Sequence, residues 1–102
     1  MILRHYSDEK LKRELAAIVS KHSTSPFKLF FFGSRVSNPD VDDRADIDVG
    51  FLGEEPLPLR AKANIKEEIE DIRTLYKIDF IDFFGVSDRF KSVALRKIEY
   101  IN

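Results

Sequence analysis

Phe27-Lys28-Leu29-Phe30-Phe31-Phe32-Gly33-Ser34 and the later Ala45-Asp46-Ile47-Asp48-Val49-Gly50-Phe51-Leu52 are the stretches from which the fold can be read. In the first, five of the six residues from Phe27 to Phe32 are large and apolar, and Gly33 stops the run, as expected of a buried strand. The second alternates: Asp46, Asp48 and Gly50 share one face of a strand, and Ile47, Val49 and Phe51 share the other. If the two strands pair antiparallel, the Gly33-Ser34 turn arrives beside Asp46 and Asp48. Between them, Ser37-Asn38-Pro39-Asp40 is turn chemistry in a polar loop.

Working outward, Ser7 or Asp8 caps a first helix running to about His22, with Leu11, Leu15, Ile18 and Val19 at helical spacing. Ser23 to Pro26 ends it. Pro56 and Pro58 open a second helix reaching about Leu75, with the stripe Ile65, Ile69, Ile72 and Tyr76. Lys77 to Phe84 reads as a third strand broken by Gly85. Ser87 or Asp88 then caps a short last helix carrying Phe90, Val93, Ala94 and Ile98. The order α-β-β-α-β-α predicts a single α/β (α+β) domain over residues 1–102, with a small mixed sheet and flanking helices. The second and third strands enclose a helix, so they should run parallel through a right-handed crossover.

Composition removes several classes of function. At 102 residues the chain has room for one core. It has no cysteine, hence no disulfide framework, thiolate nucleophile or Cys-based zinc site. The longest apolar run, Leu15 to Val19, has five residues, against ~18 for a membrane span. Met1 to Tyr6 lacks the pattern of a signal peptide, so a cytoplasmic location is expected. A net charge of -1 implies no general polyanion-binding surface.

The charge is unevenly spread. From Asp40 to Glu55 stand Asp40, Asp42, Asp43, Asp46, Asp48, Glu54 and Glu55, seven of the 18 acids, with Arg44 the only base. Carboxylates concentrated on a strand repel one another unless a cation lies nearby. Asp46 and Asp48 share a face with Cα atoms ~6.6–6.8 Å apart, so their side chains can converge on one hard cation. The bland alternative for a lone Asp-x-Asp is a solvated strand face. A calcium loop fails on spacing: from Asp40 the third ligand position is Arg44, and from Asp46 the required glycine is Phe51. Gly33-Ser34 after a strand lets backbone approach a ligand and can offer N–H groups to phosphate, although strands often end in glycine. Neither a Walker A loop nor a dinucleotide fingerprint occurs.

Together these pieces form a more specific pattern: a hydrophobic strand, Gly33-Ser34, eleven residues, Asp46-x-Asp48 opening a second strand, and Asp79 or Asp82 on a third. This resembles the DNA polymerase β-like nucleotidyltransferase superfamily, with its hG[GS], spacer, Dh[DE]h and later carboxylate. The small size, Tyr76 to Phe83 and Ser87-Asp88-Arg89-Phe90 resemble the minimal nucleotidyltransferases, antitoxin components of HEPN/minimal-nucleotidyltransferase toxin–antitoxin pairs. The loop Val36 to Arg44 departs from that pattern, lacking the Ala-Arg-Gly often found after Gly-Ser-Arg. The resemblance implies the polymerase β-like fold and transfer of a nucleoside monophosphate, AMP from ATP, to a hydroxyl on a partner HEPN toxin. It implies two Mg2+ ions on Asp46, Asp48 and a third carboxylate, with Gly33, Ser34 and Arg35 on the phosphates. Asp79 is preferred to Asp82, because in a parallel pairing it lies level with Asp46 and Asp48, while Asp82 lies roughly 10 Å further along.

Two rival readings remain: an antitoxin that neutralises by binding alone, and a two-metal nuclease. Other features are bland. His5 and His22 have no partner at zinc-ligand spacing and are expected at the surface. Phe30, Phe32, Phe51, Phe80 and Phe84 are expected in the core, leaving Phe31 and Phe83 for the other sheet face, a surface for a partner or a homo-oligomer. Lys66 to Asp71 reads as a solvated helix face.

Overall fold

Ser7 starts the first helix: its hydroxyl accepts from the Lys10 amide at 3.2 Å, and α1 runs Asp8–His22. The structure, a computed structural model, describes residues 1, 3–38 and 41–102, so part of the turn expected at Ser37 to Asp40 lies outside the described residues. Asp8 and Glu9 in the first turn and Lys21 and His22 in the last complement the helix dipole. Leu11, Leu15 and Val19 are completely buried.

Four strands form one sheet in the order β3-β2-β1-β4. β1 (Phe27–Phe32) and β2 (Ile47–Gly53) pair antiparallel, with Phe32 opposite Asp48. β3 (Ile78–Asp82) pairs parallel with β2, placing Asp79 beside Asp48. The parallel pairing follows the expectation from sequence, and the antiparallel one meets the condition that brings the Gly33 turn beside Asp48. The unbroken apolar run of β1 has a simple cause, since this central strand is covered on both faces. Leu29 and Phe31 face the main core with Ile47, Val49 and Phe80, under Leu15 of α1 and Ile65 and Ile69 of α3 (Leu59–Glu70). Phe30 and Phe32 face a second cluster with Phe83, flanked by Ala94, Leu95 and Ile98. Gly50 makes this second cluster possible: a Cβ there would stand 2.3 Å from the Phe30 ring and 2.9 Å from the Phe83 ring.

Several boundaries differ from the sequence reading. Ser34–Ser37 form a four-residue helix, α2, and Glu99–Tyr100 form a short β4 pairing antiparallel with β1. The α3 helix stops at Glu70 rather than near Leu75, so Tyr76 lies outside it, in the segment leading to β3. β3 stops at Asp82, whose carboxylate caps a 3-10 turn at Phe83–Gly85 by accepting from the Phe84 amide. That turn throws Phe84 outward to 51% exposure and Phe83 inward, the reverse of the expected placement. Phe31 is wholly buried as well, so neither Phe31 nor Phe83 offers a partner surface. The last helix, α4 (Asp88–Ala94), capped by Ser87, is amphipathic only in part: Phe90 packs on Phe32 and Phe83, while Val93 is exposed.

Candidate active site

The alternation of β2 turns Ile47, Val49 and Phe51 into the core, which leaves Asp46 and Asp48 on the opposite face. Parallel pairing brings Asp79 level with Asp48, and the Ile47 amide donating to the Lys77 carbonyl at 2.8 Å sets that register. Burial pushes the Asp48 carboxyl above the usual aspartate range, and the nearby charges of Asp79 and then Asp46 push it further the same way. Lys77 reaches over the group, its Nζ 3.8 Å from Asp46 and 4.0 Å from Asp79. A cleft of about 480 Å³ follows the outer edge of β3 and reaches Asp48, Asp79 and Lys77.

Gly33 closes the site from above. Its φ of 82° and ψ of -160° suit glycine, and a Cβ there would stand 2.2 Å from the Asp48 Oδ2 atom. The backbone can therefore turn at Gly33 only because this residue has no side chain. Its carbonyl accepts from the Ser37 amide, which closes α2 and leaves Ser34 exposed at the front of the turn.

Partners elsewhere take up Asp42, Asp43 and Glu55 of the acidic window. Arg44 is spent on Asp42: their contact at 3.0 Å holds the Asp42 carboxyl down at about 2. Asp43 accepts from the Tyr76 hydroxyl at 2.9 Å and faces His5 at 3.1 Å. Glu55 accepts from the Ser25 hydroxyl. Asp40 lies outside the described residues. Asp46, Asp48 and Asp79 are thus left with one exposed lysine among three carboxylates. The donor set is all hard oxygen, which suits a divalent cation. Among the described residues no three acids or histidines are already gathered at ligating separation, so an ion held here would have to draw these side chains inward by rotation.

Two candidates behave differently from the sequence expectation. Arg35, expected to reach a phosphate or solvent, is only 6% exposed and points beneath the loop. Its Nε donates to the Ala45 carbonyl at 2.8 Å, its Nη2 donates to the Asp43 carbonyl, and its guanidinium lies 4.8 Å from the Tyr76 ring centre. Asp82 is taken up structurally, accepting from the Leu57 amide at 2.9 Å and the Phe84 amide at 3.0 Å. His5 is exposed as expected, whereas His22 is half-buried against Glu68. Lys77, Tyr76 and Asp43 were not singled out from sequence. The signal for the first was adjacency, since Lys77 shares the strand face of Asp79.

Comparison with known proteins gives three kinds of likeness. The family model described as "Polymerase beta, Nucleotidyltransferase" matches residues 13–101. Members of this family generally use divalent metals. The "Probable protein adenylyltransferase MntA" of Haemophilus influenzae is 28% identical over 91 residues, covering 86% of this chain and 78% of that protein. A chain of a toxin–antitoxin crystal structure with AMP-PNP superposes with a TM-score of 0.71 at 13% identity, over 89% of this chain and 72% of that one. A chain of the tri-AMPylated Shewanella oneidensis HEPN toxin in complex with MNT antitoxin gives 0.68 at 14% identity, over 92% and 71%. At such identities the structural matches speak for the fold. No described helix is long and apolar enough to cross a membrane.

Proposed function

This chain belongs to the polymerase beta nucleotidyltransferase family, and on that premise we propose that it transfers AMP from ATP to a hydroxyl of a partner HEPN toxin, serving as the antitoxin of the pair. The observation carrying this reading is the register that sets Asp48 beside Asp79 with the Gly33 turn against the Asp48 carboxylate. Residues 1–102 act in it as one nucleotidyltransferase domain.

Two Mg2+ ions, held by Asp46, Asp48 and Asp79, would activate the acceptor hydroxyl and neutralise charge on the leaving pyrophosphate. Gly33 and Ser34 present the turn at which the β- and γ-phosphates bind, where backbone N–H groups and a hydroxyl suit anionic oxygen. In the reaction the acceptor oxygen bonds to the α-phosphorus, the bond to the bridging oxygen of pyrophosphate breaks, and the hydroxyl proton is lost to solvent. Lys77 tempers the repulsion among the carboxylates before ligand arrives.

The test incubates the protein with α-labelled ATP, Mg2+ and the HEPN protein encoded beside it. Label on the partner is the expected result. A stable complex without label overturns transfer in favour of neutralisation by binding, and cleavage of nucleic acid overturns it in favour of a nuclease.

A further inference from the structure

The buried guanidinium of Arg35 contacts both of the segments that lead into the candidate carboxylates. Arg35 lies in α2, directly after the Gly33-Ser34 turn. Its Nε and Nη2 donate to the carbonyls of Ala45 and Asp43, immediately ahead of Asp46 and Asp48. Its guanidinium carbon lies over the Tyr76 ring, 4.8 Å from the ring centre, immediately ahead of Lys77 and Asp79. Tyr76 in turn donates its hydroxyl hydrogen to the Asp43 carboxylate at 2.9 Å and accepts from the Arg4 and His5 amides at 3.1 and 3.2 Å. Asp43 also supplies the countercharge, 3.8 Å from the guanidinium.

We propose that Arg35, lying over the Tyr76 ring, is the positioning residue that sets the distance between the Asp46–Asp48 pair and Asp79, and hence the divalent-ion affinity of the site. The proposal rests on the reading of these three aspartates as the ion-holding group. A buried cation needs polar partners, and a planar fork can meet two carbonyls on one loop while it lies over a ring from the segment leading to β3. Lysine cannot do both. Arg35 therefore couples β2 to β3 at the end of the sheet where the acids lie, and it ties both to the turn at Gly33. A role in phosphate binding would need the guanidinium exposed at the front of α2, where Ser34 stands instead.

The test compares Arg35→Lys and Tyr76→Phe with wild type by titrating Mn2+ into nucleotide-free protein, together with amide hydrogen exchange and steady-state kinetics. Arg35→Lys is expected to weaken Mn2+ binding about 10–100-fold, the range for residues that orient metal ligands, and to speed exchange at the Ala45 and Ile47 amides. At saturating Mg2+ its kcat should fall while KM for ATP stays near wild type. Tyr76→Phe keeps the stacked ring and loses only the hydroxyl bonds, so it should weaken Mn2+ binding less. Wild-type Mn2+ affinity and exchange in Arg35→Lys overturn the proposal, as does a raised KM with kcat retained, which marks a direct phosphate contact. If Arg35→Lys does not fold, Tyr76→Leu, which removes the ring beneath the guanidinium, decides, and unchanged Mn2+ affinity there refutes the coupling. Neither the Mn2+ titration nor the exchange needs ATP or partner. Failure of AMP transfer in wild type therefore strikes the proposed function and leaves this inference to its own readout.

Discussion

Replacing Gly33 with alanine tests the closest approach in the site. Two effects act at once. The backbone at φ 82° and ψ -160° is strained for any residue with a side chain, costing about 1–3 kcal/mol. The added methyl would also stand 2.2 Å from the Asp48 carboxylate oxygen, well inside van der Waals contact. The atom it strikes is the end of a rotatable side chain, so the cheapest relief is for the Asp48 carboxylate to turn away. The fold then loses only the backbone strain, a fall in Tm of roughly 4–8 °C per kcal/mol for a domain near this size. Catalysis loses a displaced ligand, and a shift of ~1 Å in a reacting group removes about 100-fold in rate. Thermal melts and single-turnover transfer from labelled ATP should therefore separate, with a modest loss of stability and a large loss of rate. Adding Asp48→Ala distinguishes the two routes. Only the Asp48 Cβ at 3.4 Å then faces the methyl, so any repulsion retained in Gly33→Ala shows as a coupling of about 0.5–3 kcal/mol, and a carboxylate that has already swung away shows none. Gly33→Ala with rate within a few-fold of wild type would refute the tight packing of turn on carboxylate.

Asp79→Asn should abolish transfer in a single-turnover assay while leaving much of the Mg-ATP binding, whereas Asp82→Asn, which weakens a bond to the Leu57 or Phe84 amide, should lower stability by about 1 kcal/mol and leave transfer within a few-fold. The opposite ranking would contradict the register argument. Calorimetry with ATP should give little heat in EDTA and a clear signal with Mg2+, because a triphosphate meeting three carboxylates is repelled unless cations intervene; equal affinity in both conditions would count against the ion-holding role. The folded-state pKa of Asp48 is raised by burial and then by Asp79 and Asp46, so its contribution to stability is complete below the unfolded value and is lost as pH climbs through the raised one. In EDTA, wild type should accordingly lose stability relative to Asp48→Asn as pH rises just past the ordinary aspartate range. Parallel stability curves for the two proteins would show that burial and the neighbouring carboxylates do not raise Asp48 as described.

What could be read from sequence and what could not divides along a physical line. The parallel pairing of β2 with β3 was legible because period-two alternation fixes the faces of both strands and one topological rule fixes their direction, whereas the antiparallel pairing of β1 with β2 stood only as a condition. From those two facts Asp79 falls beside Asp48, with no side chain placed individually. The assignments that failed depended on where a single side chain goes. Phe30, Phe31 and Phe32 are consecutive large aromatics, and which face is covered by what depends on Gly50, Phe83 and α1 rather than on the run itself. The α2 helix is a consequence of one glycine's dihedral angles, and β4 holds two residues, too few to show any period. Instead β4 is fixed by tertiary bonds, from the Ile101 amide to the Leu29 carbonyl and from the Leu29 amide to the Asn102 side chain. Arg35 is the sharpest case. An arginine after Gly-Ser in a polar loop reads as exposed or ligand-bound, because the partners that draw it inward are two main-chain carbonyls and a tyrosine assigned from its spacing to a helix stripe. Main-chain acceptors carry no residue identity and leave no trace in a sequence. The carboxylates of the proposed site are legible because the chemistry proposed for them calls for particular side chains. The device that spaces them is hidden because any backbone carbonyl at the right point would serve.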